Sequence, residues 1–124
     1  MPAIAARRLE ARSVAEIIEW TRTALGLTYR DVGMLAGAAT RTAQRWGDAD
    51  DPTVPSREHR AKLGQLRDLK RLLASAFPEE SVALEWLHRE VPLLDARRPI
   101  DLIRRGELGP VVEVLAGVHA GAFA

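Results

Sequence analysis

Apolar residues recur along this chain at helical spacing, in successive stretches parted by glycine, proline or short polar runs, and this periodicity predicts an all-α fold. Ser13 stands as an N-cap with Glu16 at the third helical position, a capping box, and Val14, Ile17, Ile18 and Leu25 fall on one stripe that Gly26 closes. Residues 1–12, rich in alanine and arginine, read as a flexible arm ahead of it. Thr28 with Asp31 repeats the capping signature, and Val32, Leu35 and Ala36 form a second, short stripe that stops at Gly37. A third helix follows from about Thr40 to Trp46.

From Ser56 to Phe77 a long amphipathic helix carries Leu63, Leu66, Leu69, Leu72, Leu73, Ala76 and Phe77 on one face. The stripe is too short for a coiled coil and reads as core. With no Ser/Gly-rich spacer on either side, this helix, placed at 56–78, is expected to bridge two parts of the molecule and feed both cores. Pro78 stops it, and Glu79 and Glu80 suit the start of the next helix, whose apolar side chains are Val82, Leu84, Trp86 and Leu87. Pro92 ends that segment before Leu93 and Leu94. Pro99 fits the first position of a further short helix, anchored by Leu102 and Ile103 and closed by Gly106. Asp101 lies in its first turn and reads as an acceptor for free backbone N–H groups rather than as a catalytic acid. Arg104 and Arg105 sit at its C-terminal end, where the helix dipole favours cations. The last helix, from about Gly109 to His119, presents Val111, Leu115 and Val118 at core spacing with Val112 and Val114 beside them.

Three short helices joined by glycine-bearing turns match a helix-turn-helix plan over residues 13–55, with the third as recognition helix. Ala36 is small where two helices cross, and Ala43 and Trp46 face inward. That leaves Thr40, Arg41, Thr42, Gln44 and Arg45 to solvent or to DNA, where arginine can read guanine, glutamine adenine, and threonine hydroxyls phosphates. The same residues serve equally well as a solvated face, and Ala39 stands where a capping serine is usual. Asp48, Asp50 and Asp51 read as a solvated loop, since the glycine and glutamate of a calcium loop are missing.

Composition narrows the classes further. The chain has 124 residues, no cysteine and a formal net charge of +1, which neither demands nor excludes a polyanionic partner. Disulfides and thiolate metal sites are ruled out, and His59, His88 and His119 lack metal-ligand spacing, so neither metal nor cofactor is expected. Glu16 and Glu19 interrupt the N-terminal apolar residues, so no signal peptide or membrane span is expected and the cytoplasm is the expected compartment. There is no HExxH, no GxxxxGK[ST] loop and no nucleophile with a recurrent partner, and the reading is a non-enzyme.

Trp86-Leu87, then Arg97-Arg98-Pro99-Ile100-Asp101-Leu102-Ile103-Arg104-Arg105-Gly106, then an apolar helix and the ending Gly121-Ala122-Phe123-Ala124 follow one another in an order that is hard to obtain by chance. It resembles the toxin-binding domain of antitoxins of the Xre/MbcA/ParS type, whose partners are RES-domain toxins that consume NAD. The resemblance places a small helical toxin-binding domain at 79–124 and implies a hetero-oligomer with such a toxin, with homodimerisation also open. It also implies contact through the C-terminal region, assigned to Arg104, Arg105, His119, Gly121, Ala122, Phe123 and Ala124. Phe123 would anchor in a pocket, and the Ala124 carboxylate would stand in for a cofactor phosphate. The N-terminal half is more loosely similar to Xre-type helix-turn-helix domains, which implies autoregulation through operator DNA. A freestanding helix-turn-helix repressor is the rival reading, with a structural adaptor as a third; a repressor would tolerate loss of the tail.

Overall fold

The computed structural model describes residues 2–51 and 53–119. It is all-α, as the periodicity predicts. The helices are α1 (Pro2–Thr23), α2 (Tyr29–Ala36), α3 (Thr40–Trp46), α4 (Arg57–Ala76), α5 (Glu80–Leu87), α6 (Pro99–Arg104) and α7 (Leu108–His119), with a 3₁₀ turn at Pro92–Leu94. The chain divides into two compact units, Met1–Leu63 and Gly64–Ala124, so the division falls inside α4.

In the first unit α1, α2 and α3 pack on one another. Their burial follows the expected stripes: Val14, Ile17 and Ile18 on α1, Val32, Leu35 and Ala36 on α2, Ala43 and Trp46 on α3. One expectation fails. Residues 2–12 are helical rather than an arm, and Ser13 lies within α1 instead of capping it. Alanine, arginine, leucine and glutamate are strong helix formers, Pro2 falls at the start where its missing N–H costs nothing, and Ala11 extends the buried stripe backward. Thr21, fully buried, satisfies its hydroxyl by donating to the Ile17 carbonyl at 2.8 Å.

The capping box of α2 forms on both sides: the Asp31 N–H donates to Thr28 Oγ1 at 3.1 Å, and the Thr28 N–H donates to Asp31 Oδ2 at 3.0 Å. Gly37 ends α2 in the left-handed region at φ 73°, and the Ala38 N–H returns to the Gly33 carbonyl at 2.8 Å. The close approach of α2 to the start of α3 rests on Gly33 rather than on Ala36 alone. A Cβ there would lie 2.7 Å from the Ala38 carbonyl oxygen and 3.3 Å from Thr40 N, both backbone atoms. His59, in the first turn of α4, lies edge-on to Trp46 at 5.1 Å, with its Nε2 3.3 Å from the Gly37 carbonyl, so it packs across the α2–α3 turn. Arg60 reaches Glu10 on α1 at 2.9 Å.

In the second unit α6 packs on α5 and α7, and α7 on the 3₁₀ turn. Leu66, Leu69 and Leu73 of α4 are buried, while Leu72, Ala76 and Phe77 are half-buried. On α5 the inward positions are Ala83, Trp86 and Leu87; Val82, expected inside, is 40% exposed and Leu84 is half-buried. The register explains this, since the helical neighbour three residues before Trp86 is Ala83. Phe77 meets Trp86 at 5.6 Å between ring centroids. Ile100, Leu102 and Ile103 of α6 and Leu108, Val111 and Leu115 of α7 are fully buried.

Two glycines should respond oppositely to alanine. Gly33→Ala forces backbone apart and should destabilise the chain by about 1–3 kcal/mol. Gly64→Ala, inside α4 with nothing within 4 Å of the new methyl, should stabilise it by roughly 0.5–1 kcal/mol. Urea unfolding of the two variants is the check, and a Gly33→Ala chain as stable as the parent refutes the tight α2–α3 crossing.

Candidate partner-binding site

The segment between α5 and α6 closes on itself before α6 begins. Val91 and Arg97 form an isolated antiparallel bridge, with the Val91 N–H donating to the Arg97 carbonyl at 3.1 Å. To fit within that bridge Asp95 and Ala96 both take left-handed backbone, at φ 57° and 59°, a conformation costing roughly 1–2 kcal/mol for a residue bearing Cβ. The loop delivers Arg97 and Arg98 to the start of α6, where Pro99 takes the first turn.

Asp101 does not cap this helix, contrary to the sequence expectation: Arg98 occupies the N-cap position and no side chain bonds the free N–H groups. Instead Arg98 Nε and Nη2 each donate to the Asp101 carboxylate at 2.9 Å, a two-pronged fork. The carboxylate prefers arginine because spacing of three residues on a short helix turns the two side chains toward each other on the solvent side. Arg104 Nη1 approaches the same carboxylate at 3.9 Å. Arg98, foremost by hydrogen bonding and then by charge, holds Asp101 below the usual carboxylate range, helped by Arg104 and Arg105. Arg97 lies 3.8 Å from Asp95 and 3.7 Å from Glu107.

Arg97, Arg98, Asp101, Arg104 and Arg105 line a cleft of about 460 Å³ with Glu90, Ala96 and Leu102. Two expected contact residues, Arg104 and Arg105, stand here, exposed. Arg97 and Arg98 belong to the same cleft but are expected from the sequence only as part of a motif; the signal that points to them is two arginine pairs seven residues apart, at the two ends of one short helix. His119 closes α7, while its side chain and Gly121, Ala122, Phe123 and Ala124 lie outside the described residues.

The expected DNA-facing residues occupy one element. Thr40, Arg41, Gln44 and Arg45 of α3 are exposed and Thr42 half-buried, and Ala39 supplies no side-chain cap, as expected. Beyond α3, Asp48 Oδ1 accepts from the Asp50 N–H at 2.9 Å and Asp51 Oδ1 from the Thr53 N–H at 2.8 Å, so both order the loop. Hydrogen bonds from the Thr53 side chain and backbone, then the charge of Arg45, hold the Asp51 carboxyl below its ordinary range. The loop thereby offsets part of the positive field at the C-terminal end of α3.

A chain of small helices whose sixth is built around an Arg-Pro-x-Asp-Leu block is of the antitoxin class that the motif order resembles. The chain belongs to the MbcA family of antitoxins: it is 32% identical over 99 residues to the mycobacterial cidal antitoxin MbcA of Mycobacterium tuberculosis and of Mycobacterium bovis, covering 80% of this chain and 85% of the relative. It is also 30% identical over 117 residues to a probable mycobacterial cidal antitoxin of M. tuberculosis, covering 94% of each. Among solved structures it is similar to a chain of the M. tuberculosis MbcT–MbcA toxin–antitoxin complex, with a TM-score of 0.59, 30% identity, and coverage of 89% of this chain and 96% of that one. No protein-family model matches it. Among the described residues no helix is long and apolar enough to cross a membrane.

The fork has a pH signature. Because Asp101 gives up its proton more readily in the folded chain than in the unfolded one, the pair stabilises the fold above the ordinary carboxylate range, and the contribution is lost as pH falls below about 4. The difference in melting temperature between the parent and Asp101→Asn, small because the pair is half-exposed, should therefore shrink from pH 7 to pH 3. A difference that stays constant over that range excludes the fork.

Proposed function

We propose that this chain is the antitoxin of a type II toxin–antitoxin pair, and that it binds and neutralises a RES-domain toxin that consumes NAD. The observation that carries this reading is its family membership, joined to its likeness to a chain of the MbcT–MbcA complex. The block from Arg97 to Gly106 supports a protein contact at the second unit, because it spends four arginines on one exposed surface of a short helix. In this reading the C-terminal region enters the toxin's active-site cleft and obstructs NAD. Phe123 is the apolar anchor, and His119, Gly121, Ala122 and Ala124 lie along the path. The working form is a hetero-oligomer with the toxin in the cytoplasm, where NAD is consumed.

The test pairs the chain with a RES-domain protein from its own operon and follows NAD consumption. Full-length chain should abolish it at a saturating ratio. A chain lacking Gly121 to Ala124 should keep its helical circular dichroism and still co-purify with the toxin, yet inhibit poorly. Equal inhibition by both defeats the obstruction mechanism, and failure of the full-length chain to bind defeats the toxin reading.

The exposed polar face of α3 favours a second activity, operator binding through a helix-turn-helix formed by α2 and α3, either for autoregulation or as the whole function of a freestanding repressor. Arg41→Ala and Arg45→Ala should each weaken binding to the chain's own promoter, with a salt slope lowered by about 1 where a phosphate contact is lost. Anisotropy titrations at low salt, with and without toxin, measure it. Absence of binding under both conditions makes α3 a solvated scaffold face.

A further inference from the structure

The exposed surface of α6 carries more charge than holding a short helix requires. Four arginines line the cleft against two lining carboxylates, Glu90 and Asp101, and because Asp95 and Glu107 stand beside Arg97 the positive surplus is concentrated at Arg104 and Arg105. The arginines differ in how far their donors are used. Arg98 spends two on Asp101 at 2.9 Å. Arg104 stands 3.9 Å from that carboxylate, and Arg97, whose Nε donates to the Leu94 carbonyl at 3.1 Å, keeps its two Nη groups 3.7 and 3.8 Å from Glu107 and Asp95, beyond hydrogen-bonding reach. Arg105 makes no ion pair within 4.0 Å among the described residues and only adds to the field at Asp101. Three guanidinium groups thus keep planar donor pairs available for an incoming acceptor, and the loop that presents Arg97 is held in left-handed backbone at Asp95 and Ala96.

We infer that this cleft is an electrostatic dock for an acidic patch of the partner toxin, with Arg104 and Arg105 as its arms and Asp101 as the internal carboxylate with which the patch competes. The inference rests on the toxin reading above and goes beyond it by naming the partner's chemistry. Carboxylates fit better than a phosphate group: a phosphate brings nearly two charges against both Glu90 and Asp101, whereas a single carboxylate can exchange with Asp101 on the guanidinium groups. The dock is also well placed, since α6 packs directly on α7, the helix leading into the segment assigned to the toxin's cleft. Charges at such a rim act on the rate of encounter and on its salt dependence more than on the lifetime of the complex.

The measurement is the association rate of the RES-domain toxin with the chain by stopped-flow fluorescence, at low salt and at about 0.5 M salt. Arg104→Glu with Arg105→Glu should slow association by about tenfold or more at low salt, and the deficit should close at high salt. The milder pair Arg104→Gln with Arg105→Gln should give a smaller slowing in the same direction. Asp101→Asn, which makes the cleft more positive, should speed association. Arg8→Glu with Arg12→Glu, an equal charge change at two exposed positions of α1, should leave the rate near the parent's. Unchanged rates in the Arg104 and Arg105 variants, or equal slowing by the Arg8→Glu and Arg12→Glu pair, overturn the dock while leaving the toxin reading intact. Saturable binding of pyrophosphate to the free chain, with toxin association indifferent to the arginines, assigns the cleft to a small anion and overturns it too. No complex with the parent chain brings down the toxin reading and this inference together.

Discussion

A helix of six residues has almost no stability of its own, because the cost of nucleating a helical turn is barely recovered over so short a run. Everything the second unit presents to a partner depends on how α6 is held despite this. Ile100, Leu102 and Ile103 are fully buried, Pro99 pre-sets the first turn, and the opposite side is then obliged to carry Arg98, Asp101, Arg104 and Arg105 outward. The apolar side supplies the stability and the charged side supplies the surface. The Arg98–Asp101 fork adds orientation more than energy, as half-exposed ion pairs do. Truncation of Leu102 is therefore an architectural change, on the scale of about 2–5 kcal/mol for a fully buried leucine, whereas changes at Arg104 and Arg105 leave the helix in place.

The first unit solves a similar problem by different means. Helices α2 and α3 are also short, and they are brought together by a glycine with no room for a methyl, a left-handed turn residue and the packing of His59 and Trp46 across the turn. Near its C-terminal end, Tyr29 lies against Gly47 and under the Arg22 guanidinium, 3.9 Å from its ring centroid. The consequence is a short helix fixed at both ends with its polar residues outward. That geometry suits a groove reader and a plain scaffold alike, and the acidic loop after α3 tempers the field on one side of it.

Much of this was legible in the sequence because burial and capping leave short-range marks. The Thr28–Asp31 box, Gly37, Ala43 and Trp46, and Val111 and Leu115 on α7 each follow from spacing within a few residues, whereas Val118, expected beside them, is half-buried. What was not legible depends on partners that spacing does not name. Asp101 had two candidate donors, backbone N–H groups and a guanidinium, and a first-turn position alone does not tell them apart. Size alone singles out Ala36 for the close approach, but the backbone of the following turn comes nearest to Gly33, a matter of three-dimensional path. Residues 2–12 carry no cap or stop signal, yet helix propensity extends α1 across them. Val82 is apolar, but the register gives the core position to Ala83.

We propose that the second unit, through α6 and α7, is where the chain meets its toxin. Amide hydrogen exchange of the chain, alone and in complex with the proposed toxin, tests it most directly. Protection should be gained over residues 97–119, with α2 and α3 exchanging as in the free chain. Protection confined to α2 and α3, with α6 and α7 unchanged, would contradict it.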